Sequence, residues 1–265
     1  MKELVFVGLG LHDEKGISLQ GLEETESANF VFMELYTSLL PHFSAKRFEA
    51  MVNKRVHIVS RSDLEEENGV AILKAAEKGK TVFLVPGDPF VATTHVTLRI
   101  EAEKRSIKTR VVHGASVLSA IIGLSGLHNY KFGKTVTVPF LENFSETPYD
   151  VIAKNKVHGL HTLCLLDLKV EKKRFLSINE ALKVLLDIEQ KRKEGIVTPN
   201  TVTVGVARAG SSTPTLKADF AGELLKFDFG EPPQSLIFPG TLHFMEAEAL
   251  VTLAGAPEKV RRLAK

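Results

Sequence analysis

Short apolar runs alternate along the chain with stretches whose apolar residues recur at helical spacing. The first run, residues 4–9, is continuous and contains glycine at its end, which is typical of a parallel strand buried on both faces. Further strands are predicted at residues 29–34, 56–60, 81–85, 109–113, 135–139, 161–168, 201–207 and 235–239. Helices are predicted between them at residues 18–28, 46–52, 62–78, 93–104, 116–124, 177–194 and 244–253. This alternation predicts an α/β fold with largely parallel sheets.

The periodicity is weakest near residues 125–134, where Gly126 and Gly133 fall. We therefore predict two α/β domains, residues 1–131 and 132–265. Two helix starts carry the pattern of a capping box, in which a serine is followed three residues later by an acidic residue. The first predicted box is Ser62 with Glu65, and the second is the serine and glutamate at 177 and 180.

Composition narrows the class of protein. Lys plus Arg number 34 and Asp plus Glu number 32, so the net charge of +2 supplies no overall basic field for nucleic acid, and no nucleic-acid partner is expected. The single cysteine, Cys164, excludes an internal disulfide, and its apolar strand indicates a core residue. No apolar run approaches the ~18–20 residues that span a bilayer, and the N-terminal run lacks a signal-peptide layout. We expect no membrane association and a cytoplasmic location.

Two predicted strands end in unusual loops, at the edge where α/β sheets bind ligands. The first strand leads into Gly8 and Gly10, which form either a tight turn or part of a ligand site. The strand at 81–85 leads into the proline-rich loop 86–89, where Gly87 allows unusual backbone conformations and Asp88 is held extended by the proline after it. A fixed carboxylate suits ribose hydroxyls or an ammonium group better than a pyrophosphate. A plain proline-rich turn is the alternative.

Two further strand exits are open to the same two interpretations. In the loop 113–117, small residues lead into a helix. The first N–H groups of this helix can bind a carboxylate or a carbonyl of a ligand, or Ser116 can serve as an ordinary N-cap. Asp167, at the end of the strand at 161–168, is either a ligand-facing carboxylate or a solvated turn residue.

Several known catalytic motifs do not occur in the sequence, which argues against the classes of enzyme that use them. The histidines show no metal-ligand spacing, so no metal site is proposed, and neither GxSxG nor GxxxxGK[ST] occurs. A nicotinamide oxidoreductase is disfavoured because Asp13 occupies the position of the third glycine in the dinucleotide fingerprint.

Segments spread over almost the whole chain resemble the diphthine synthase family, methyltransferases of diphthamide biosynthesis. The matching segments are residues 6–11, 36–39, 86–89 with 92–95, 126–134, 159–163, 207–211 and 239–243. The PGDP loop at 86–89 indicates only the wider tetrapyrrole-methylase-like superfamily. The segments YTSL at 36–39, ATTH at 92–95 and YKFGK at 130–134 indicate the diphthine synthase family itself.

The resemblance implies a fold, a cofactor and partners. The fold has two α/β domains with a ligand cleft between them, and the cofactor is S-adenosyl-L-methionine. The chain is expected to form a homodimer and to act on translation elongation factor 2. There it would methylate, successively, the amino group of a 3-amino-3-carboxypropyl-histidine to form diphthine. A methyltransferase of a tetrapyrrole-like small molecule and a non-catalytic translation-factor partner are the alternatives.

The resemblance also implies particular site residues. The implied cofactor contacts are Leu11, Asp88, Val91, Ser116, Val117, Leu165, Ala207 and Gln234. No residue is assigned as catalytic, although Tyr36, His95 and His113 can each assist proton removal or hold structure. The candidates for binding the substrate carboxylate are Lys131, Lys134 and Arg208. The alternative for the two lysines is a solvated hinge, and the alternative for Arg208 is a structural ion pair.

Overall fold

The structure, a computed structural model, describes residues 2–264. The chain forms two compact units. The first comprises Met1–Val117 with Val170–Lys172, and the second comprises Leu118–Lys169 with Lys173–Lys265. The main boundary between the units therefore lies between residues 117 and 118. The domain boundary expected from the sequence, between residues 131 and 132, stays a prediction.

The first unit contains a five-stranded sheet in which every pairing is parallel. Its strands are β1 (Glu3–Gly8), β2 (Phe30–Glu34), β3 (His57–Val59), β4 (Lys80–Val85) and β5 (Lys108–Val112), in the order β3-β2-β4-β1-β5. Its helices are α1 (Leu19–Glu26), α2 (Ala45–Val52), α3 (Arg61–Glu65), α4 (Val70–Ala76) and α5 (Val96–Lys104). A parallel order with β1 in the interior aligns the carboxyl ends of all five strands along one edge.

Strand β1 is buried over its whole length, as its continuous apolar run predicts. Alternate side chains point to opposite faces of a strand. Phe6 accordingly packs in one hydrophobic cluster with Phe83, while Val7 packs in a second cluster with Leu84. Each face of the sheet therefore has its own core, and the backbone of β1 is fixed from both sides.

The helix predicted over residues 62–78 is in fact two helices, α3 and α4. Asn68 between them adopts the left-handed conformation, with φ of 54°, and a glycine with positive φ follows it, so the right-handed helix cannot continue. The predicted capping box of Ser62 with Glu65 is wrong. The box belongs to Ser60, whose hydroxyl accepts from the Asp63 N–H while the Asp63 carboxylate accepts from the Ser60 N–H.

The second unit begins within helix α6 (Val117–Ser125) and contains a second five-stranded sheet. The strands of this unit are β6 (Val136–Val138), β7 (Thr162–Leu166), β8 (Leu168–Lys169), β9 (Arg174–Phe175), β10 (Val202–Ala207), β11 (Thr215–Phe220) and β12 (Gln234–Phe238). Strands β8 and β9 form a separate pair, and the other five form the sheet. The other helices are α7 (Thr147–Val157), α8 (Ile178–Arg192), α9 (Ala221–Leu224) and α10 (Phe244–Ala254).

The second sheet corrects the prediction of largely parallel sheets. Its order is β11-β10-β12-β7-β6, and only the pairing of β6 with β7 is parallel. Strand β11 was not predicted, although its sequence TLKADF alternates polar and apolar residues as a half-buried strand does. It follows β10 after a short loop, a connection that suits antiparallel neighbours.

Helix α8 confirms the second predicted capping box. The Ser177 hydroxyl accepts from the Glu180 N–H, and the Glu180 carboxylate accepts from the Ser177 N–H at 2.8 Å. The helix then buries one apolar face in the core of the second unit. Within residues 2–264, no helix has both the length and the apolar character needed to cross a membrane.

Candidate functional site

Two glycine loops of the first unit are joined backbone to backbone at the carboxyl edge of the sheet. The N–H of Gly10, after β1, donates to the Gly87 carbonyl at 3.2 Å, and the N–H of Gly87, after β4, donates back to the Gly10 carbonyl at 2.8 Å. Both glycines have φ of +68°, a conformation that residues with a side chain rarely adopt. These bonds hold the two strand exits side by side.

A third loop, after β5, packs directly on the other two. A Cβ placed on Gly114 would lie 2.3 Å from the Gly87 carbonyl oxygen and 2.9 Å from the Cα of Gly8. A Cβ on Gly8 would in turn lie 2.6 Å from the Gly114 nitrogen. Only glycine fits at such distances, so the exits of β4, β1 and β5 form one continuous backbone surface.

Asp88 places one carboxylate on this surface. The residue is only 6% exposed. Its Oδ1 accepts from the Phe90 N–H at 3.1 Å, and its Oδ2 lies 2.7 Å from Nδ1 of His113, whose side chain is 76% exposed. A carboxylate has about four acceptor sites, so these two contacts fix the group and leave acceptor capacity for hydroxyls or an amine.

The structure brings five of the eight predicted cofactor contacts to the same edge of the first unit. Leu11 follows β1, Asp88 and Val91 lie in the loop after β4, and Ser116 and Val117 lie where the loop after β5 enters α6. The Val91 N–H donates to the Asp88 carbonyl at 3.3 Å, which tightens the second loop.

The other three predicted contacts share one end of the sheet in the second unit. Ala207 on β10 lies opposite Gln234 on β12, and Leu165 on β7 lies opposite the next residue of β12, Ser235. The three therefore lie on adjacent strands. Ala207 belongs to the buried core, whereas Leu165 and Gln234 are half-buried.

The side chain of Gln234 already has partners inside the second unit. Its Oε1 accepts from the Ile178 N–H at 2.9 Å, and its Nε2 donates to the Gly230 carbonyl at 2.6 Å. The amide thereby connects the first residue of α8 to the loop before β12. Any contact of Gln234 with a ligand would compete with this structural role.

A buried carboxylate at the end of β2 was missed at the sequence level. Glu34 is 0% exposed and holds the following turn, because its Oε2 accepts from the N–H groups of Tyr36 at 2.8 Å and Thr37 at 3.0 Å. Its Oε1 accepts from the Thr37 hydroxyl and lies 3.3 Å from His95 Nε2. The signal was present, since this acidic residue ends an otherwise apolar run at the edge where the loops lie.

A second buried carboxylate lies in the second unit. Glu246 is 0% exposed, its Oε2 accepts from the His243 N–H at 2.8 Å, and its Oε1 accepts from the His128 N–H at 2.8 Å. Lys131 forms an ion pair with it, and His161 Nε2 lies 2.9 Å from Oε1. Although burial raises the pKa of Glu246, these hydrogen bonds outweigh it and lower the pKa to about 2.

The second nitrogen of His161 identifies its tautomer. The Gly240 N–H donates to His161 Nδ1 at 2.9 Å, so the ring proton lies on Nε2 and is donated to Glu246. Burial lowers the pKa of His161 more than the neighbouring carboxylate raises it. The histidine is therefore a neutral structural donor.

Two cations considered for the substrate carboxylate have structural partners. The Lys131 ammonium, besides its ion pair, donates to a backbone carbonyl at 2.6 Å. The Arg208 guanidinium donates to the carbonyls of Phe229 at 2.8 Å and Glu231 at 2.7 Å, and to the Thr215 hydroxyl at 2.5 Å. Both residues therefore have structural partners, but Lys131 forms an ion pair instead of lying in a solvated hinge, and Arg208 donates to neutral oxygens instead of forming the expected ion pair.

The glycine loops and the parallel sheet they terminate lie within a segment that matches a family of methylases. Residues 3–215 match the family described as Tetrapyrrole (Corrin/Porphyrin) Methylases, and the chain belongs to that family. Within it, the chain is 48% identical to the diphthine synthase of Methanosarcina mazei, over 97% of this chain and 98% of that protein. It is 45% identical to the diphthine synthase of Methanocaldococcus jannaschii, over 93% and 97% of the two chains.

A solved structure agrees with these sequence relationships. A crystal structure of diphthine synthase superimposes on this chain with a TM-score of 0.90 at 42% identity, covering 98% of this chain and 99% of that one. The resemblance drawn from the loop segments is thereby confirmed over nearly the whole length.

Proposed function

We propose that this protein is an S-adenosylmethionine-dependent methyltransferase of diphthamide biosynthesis that forms diphthine on translation elongation factor 2. The acceptor would be the amino nitrogen of a 3-amino-3-carboxypropyl-histidine, methylated in successive steps. The observation that carries the proposal is the three-glycine edge bearing Asp88, in a chain that shares 48% of its residues with a diphthine synthase.

The residues present fit this cofactor. S-adenosylmethionine has ribose hydroxyls, an amino acid end and no phosphate. Asp88 is a fixed acceptor suited to hydroxyls or an amine, and the glycine loops let a ligand approach the backbone closely. The chemistry that the cofactor supplies when bound is a methyl group on a positively charged sulfur.

The main contribution of this chain to the reaction is to position the cofactor and the substrate amine. We propose that Leu11, Asp88, Val91, Ser116 and Val117 of the first unit hold the cofactor, together with Leu165, Ala207 and Gln234 of the second. Holding a nucleophile in line with a reactive group at near-attack distance can supply ~7–11 kcal/mol of a barrier. Each ammonium formed by transfer must lose a proton before the next attack, and His113, being exposed, can pass that proton to water.

The remaining expectations also belong to this proposal. A homodimer is proposed from the resemblance to the diphthine synthases, and a cytoplasmic location is proposed from the composition of the chain. The substrate is a loop of a large protein, so the edge that carries Asp88 must be reachable by a protein-borne side chain.

Cofactor binding tests the first step of the proposal. S-adenosylhomocysteine should raise the unfolding temperature, and at a hundredfold excess over Kd the added stability is ~2.7 kcal/mol. NAD should give no shift, because the third glycine of the dinucleotide fingerprint is Asp13. Differential scanning fluorimetry with both ligands measures this, and a shift with NAD alone would contradict the assignment.

Transfer of labelled methyl to elongation factor 2 tests the substrate. The factor must carry the unmethylated aminocarboxypropyl-histidine, and the same factor without that group is the control. Label in the modified factor alone supports the proposal. If the cofactor binds but neither factor is labelled, a small-molecule acceptor is favoured instead.

Asp88→Asn should weaken S-adenosylhomocysteine binding about tenfold or more. The amide retains one acceptor oxygen but loses the negative charge, and charged hydrogen bonds are worth about 1.5–3 kcal/mol. Isothermal titration calorimetry measures the change. The matched control is Asp167→Asn, because Asp167 also follows a strand but its carboxylate accepts from the N–H groups of Leu168 and Phe140. Equal losses in both variants would remove Asp88 from the site.

A further inference from the structure

The phenol of Tyr36 is a buried polar group without a hydrogen-bond partner. Tyr36 is 4% exposed, and within residues 2–264 its Oη is the buried side-chain atom that lacks a partner. Leaving such a group unpaired lowers the stability of the folded protein. Buried polar groups are nearly always paired, so an exception in a well-packed region calls for an explanation.

The position of this phenol is fixed by the surrounding residues. Glu34 accepts from the backbone N–H groups of Tyr36 and Thr37 and so determines the turn after β2. His95, from the segment between β4 and α5, contacts the Tyr36 ring edge-on with centroids 6.4 Å apart. Since β2 pairs with β4 in parallel, Tyr36 lies on the same edge of the sheet as the Asp88 loop.

One face of the Tyr36 ring has a movable cover. The Arg61 guanidinium lies 4.8 Å from the ring centroid. Arg61 is half-exposed and pairs with Glu65 four residues along the helix surface, a solvent-exposed ion pair of the kind that contributes little to stability. The guanidinium can therefore leave the ring at small energetic cost and open a path to the phenol.

The charges around the phenol favour a cationic or amine ligand over a carboxylate. Burial is the main cause that raises the pKa of Tyr36, and the carboxylates of Glu34, Glu65 and Glu171 raise it further while Arg61 opposes them. The phenol is therefore neutral at physiological pH and lies in a field with more negative than positive charge. A neutral phenol oxygen in such a field is an acceptor for N–H groups.

We infer that Tyr36 Oη accepts a hydrogen bond from an N–H of the substrate amine and thereby directs the amine's lone pair at the methyl group. The inference rests on the proposed function, whose substrate is an amine. In the step, the nitrogen lone pair forms the N–C bond, and the C–S bond breaks with its electron pair remaining on sulfur. After the first and the second transfer the ammonium loses a proton, which His113 can pass to water, whereas the trimethylated product has none to lose. Tyr36 neither gains nor loses a proton in any step.

Tyr36→Phe separates this role from a structural one. The variant keeps the ring and removes only the unpaired hydroxyl, so the unfolding temperature should stay the same or rise. S-adenosylhomocysteine affinity should be unchanged, and kcat for methylation of the modified elongation factor should fall about 10- to 100-fold.

Tyr149→Phe is the matched control. Tyr149 is also fully buried, but its hydroxyl donates to Glu189 Oε2 at 2.7 Å. Removing that hydroxyl should lower the unfolding temperature and leave kcat unchanged, which is the reverse of the pattern expected for Tyr36.

A primary amine can accept three methyl groups in succession. These three transfers provide a signature that a general loss of activity would not give. A neutral primary or secondary amine has an N–H to donate to Tyr36, whereas a dimethylated amine has none. Tyr36→Phe should therefore slow the first two transfers and spare the third. Mass spectrometry of the factor during the reaction should show unmodified, monomethylated and trimethylated forms with little dimethylated form.

The outcomes distinguish the inference from the proposed function. If the unchanged protein transfers no methyl to the modified factor, the proposed function fails and this inference with it. If the unchanged protein is active and Tyr36→Phe matches it in kcat and in all transfers, the inference alone is wrong. A lowered unfolding temperature with all three transfers slowed equally would also overturn it, because the hydroxyl would then have a structural role.

Discussion

Gly114→Ala should abolish cofactor binding and destabilise the protein by about 3 kcal/mol. The added Cβ meets backbone atoms, with the Gly87 carbonyl oxygen 2.3 Å away, and backbone cannot rotate aside as a side chain can. The loop after β5 must then move off the other two loops. Chemical denaturation and calorimetry with S-adenosylhomocysteine measure the two effects.

Gly123→Ala is the control for this substitution. Gly123 lies within α6, and a Cβ built there would have no heavy atom within 4 Å. Alanine should therefore stabilise the helix by about 0.5–1 kcal/mol and leave cofactor binding intact. If Gly114→Ala behaved like Gly123→Ala, the contact between the loops would not define the site.

Glu246→Gln should destabilise the second unit by about 3 kcal/mol at pH 7, and the deficit should shrink in acid. The folded pKa of about 2 lies below the ordinary value of 4.5. The stabilisation from this carboxylate is therefore fully present above pH 4.5 and is lost as the pH falls toward 2. Urea denaturation of both proteins at pH 7 and near pH 3 measures the difference.

Glu248→Gln is the matched control on the same helix. The pKa of Glu248 is also lowered to about 2, chiefly by its hydrogen bond to Arg261, but this pair lies at the surface. Solvent screens such pairs, so Glu248→Gln should change the stability little at either pH. A large loss in both variants, or a Glu246→Gln deficit that does not depend on pH, would contradict the assignment.

Local patterns predicted most elements of the first unit and the glycine loops at the carboxyl edge of its sheet. The continuous apolar run in β1 is a local signal, because burial on both faces restricts residue type directly, and so are Gly10 and Gly87, whose φ is positive. Gly114, after β5, is required instead by close backbone contact with another loop. The direction of strand pairing in the second unit is not local. The direction depends on the segments that connect the strands, because a short loop joins antiparallel neighbours and a longer crossover joins parallel ones.

The two buried carboxylates show a different limit. Glu246 forms a capping box with His243, but histidine is not one of the usual capping residues, so the pattern went unrecognised. Glu34 is satisfied partly by His95, which lies far away in the sequence. Partners of this kind become visible only once the chain has folded.

The interior position of β1 has a consequence for the synthesis of the chain. Both partners of β1 come much later in the sequence, at Lys80–Val85 and Lys108–Val112. A nascent chain that has emerged only as far as β3 therefore exposes an unpaired strand that is apolar from Leu4 to Val7. Such segments are prone to aggregation, so chaperone demand should be greatest during that interval and should fall once β5 has emerged.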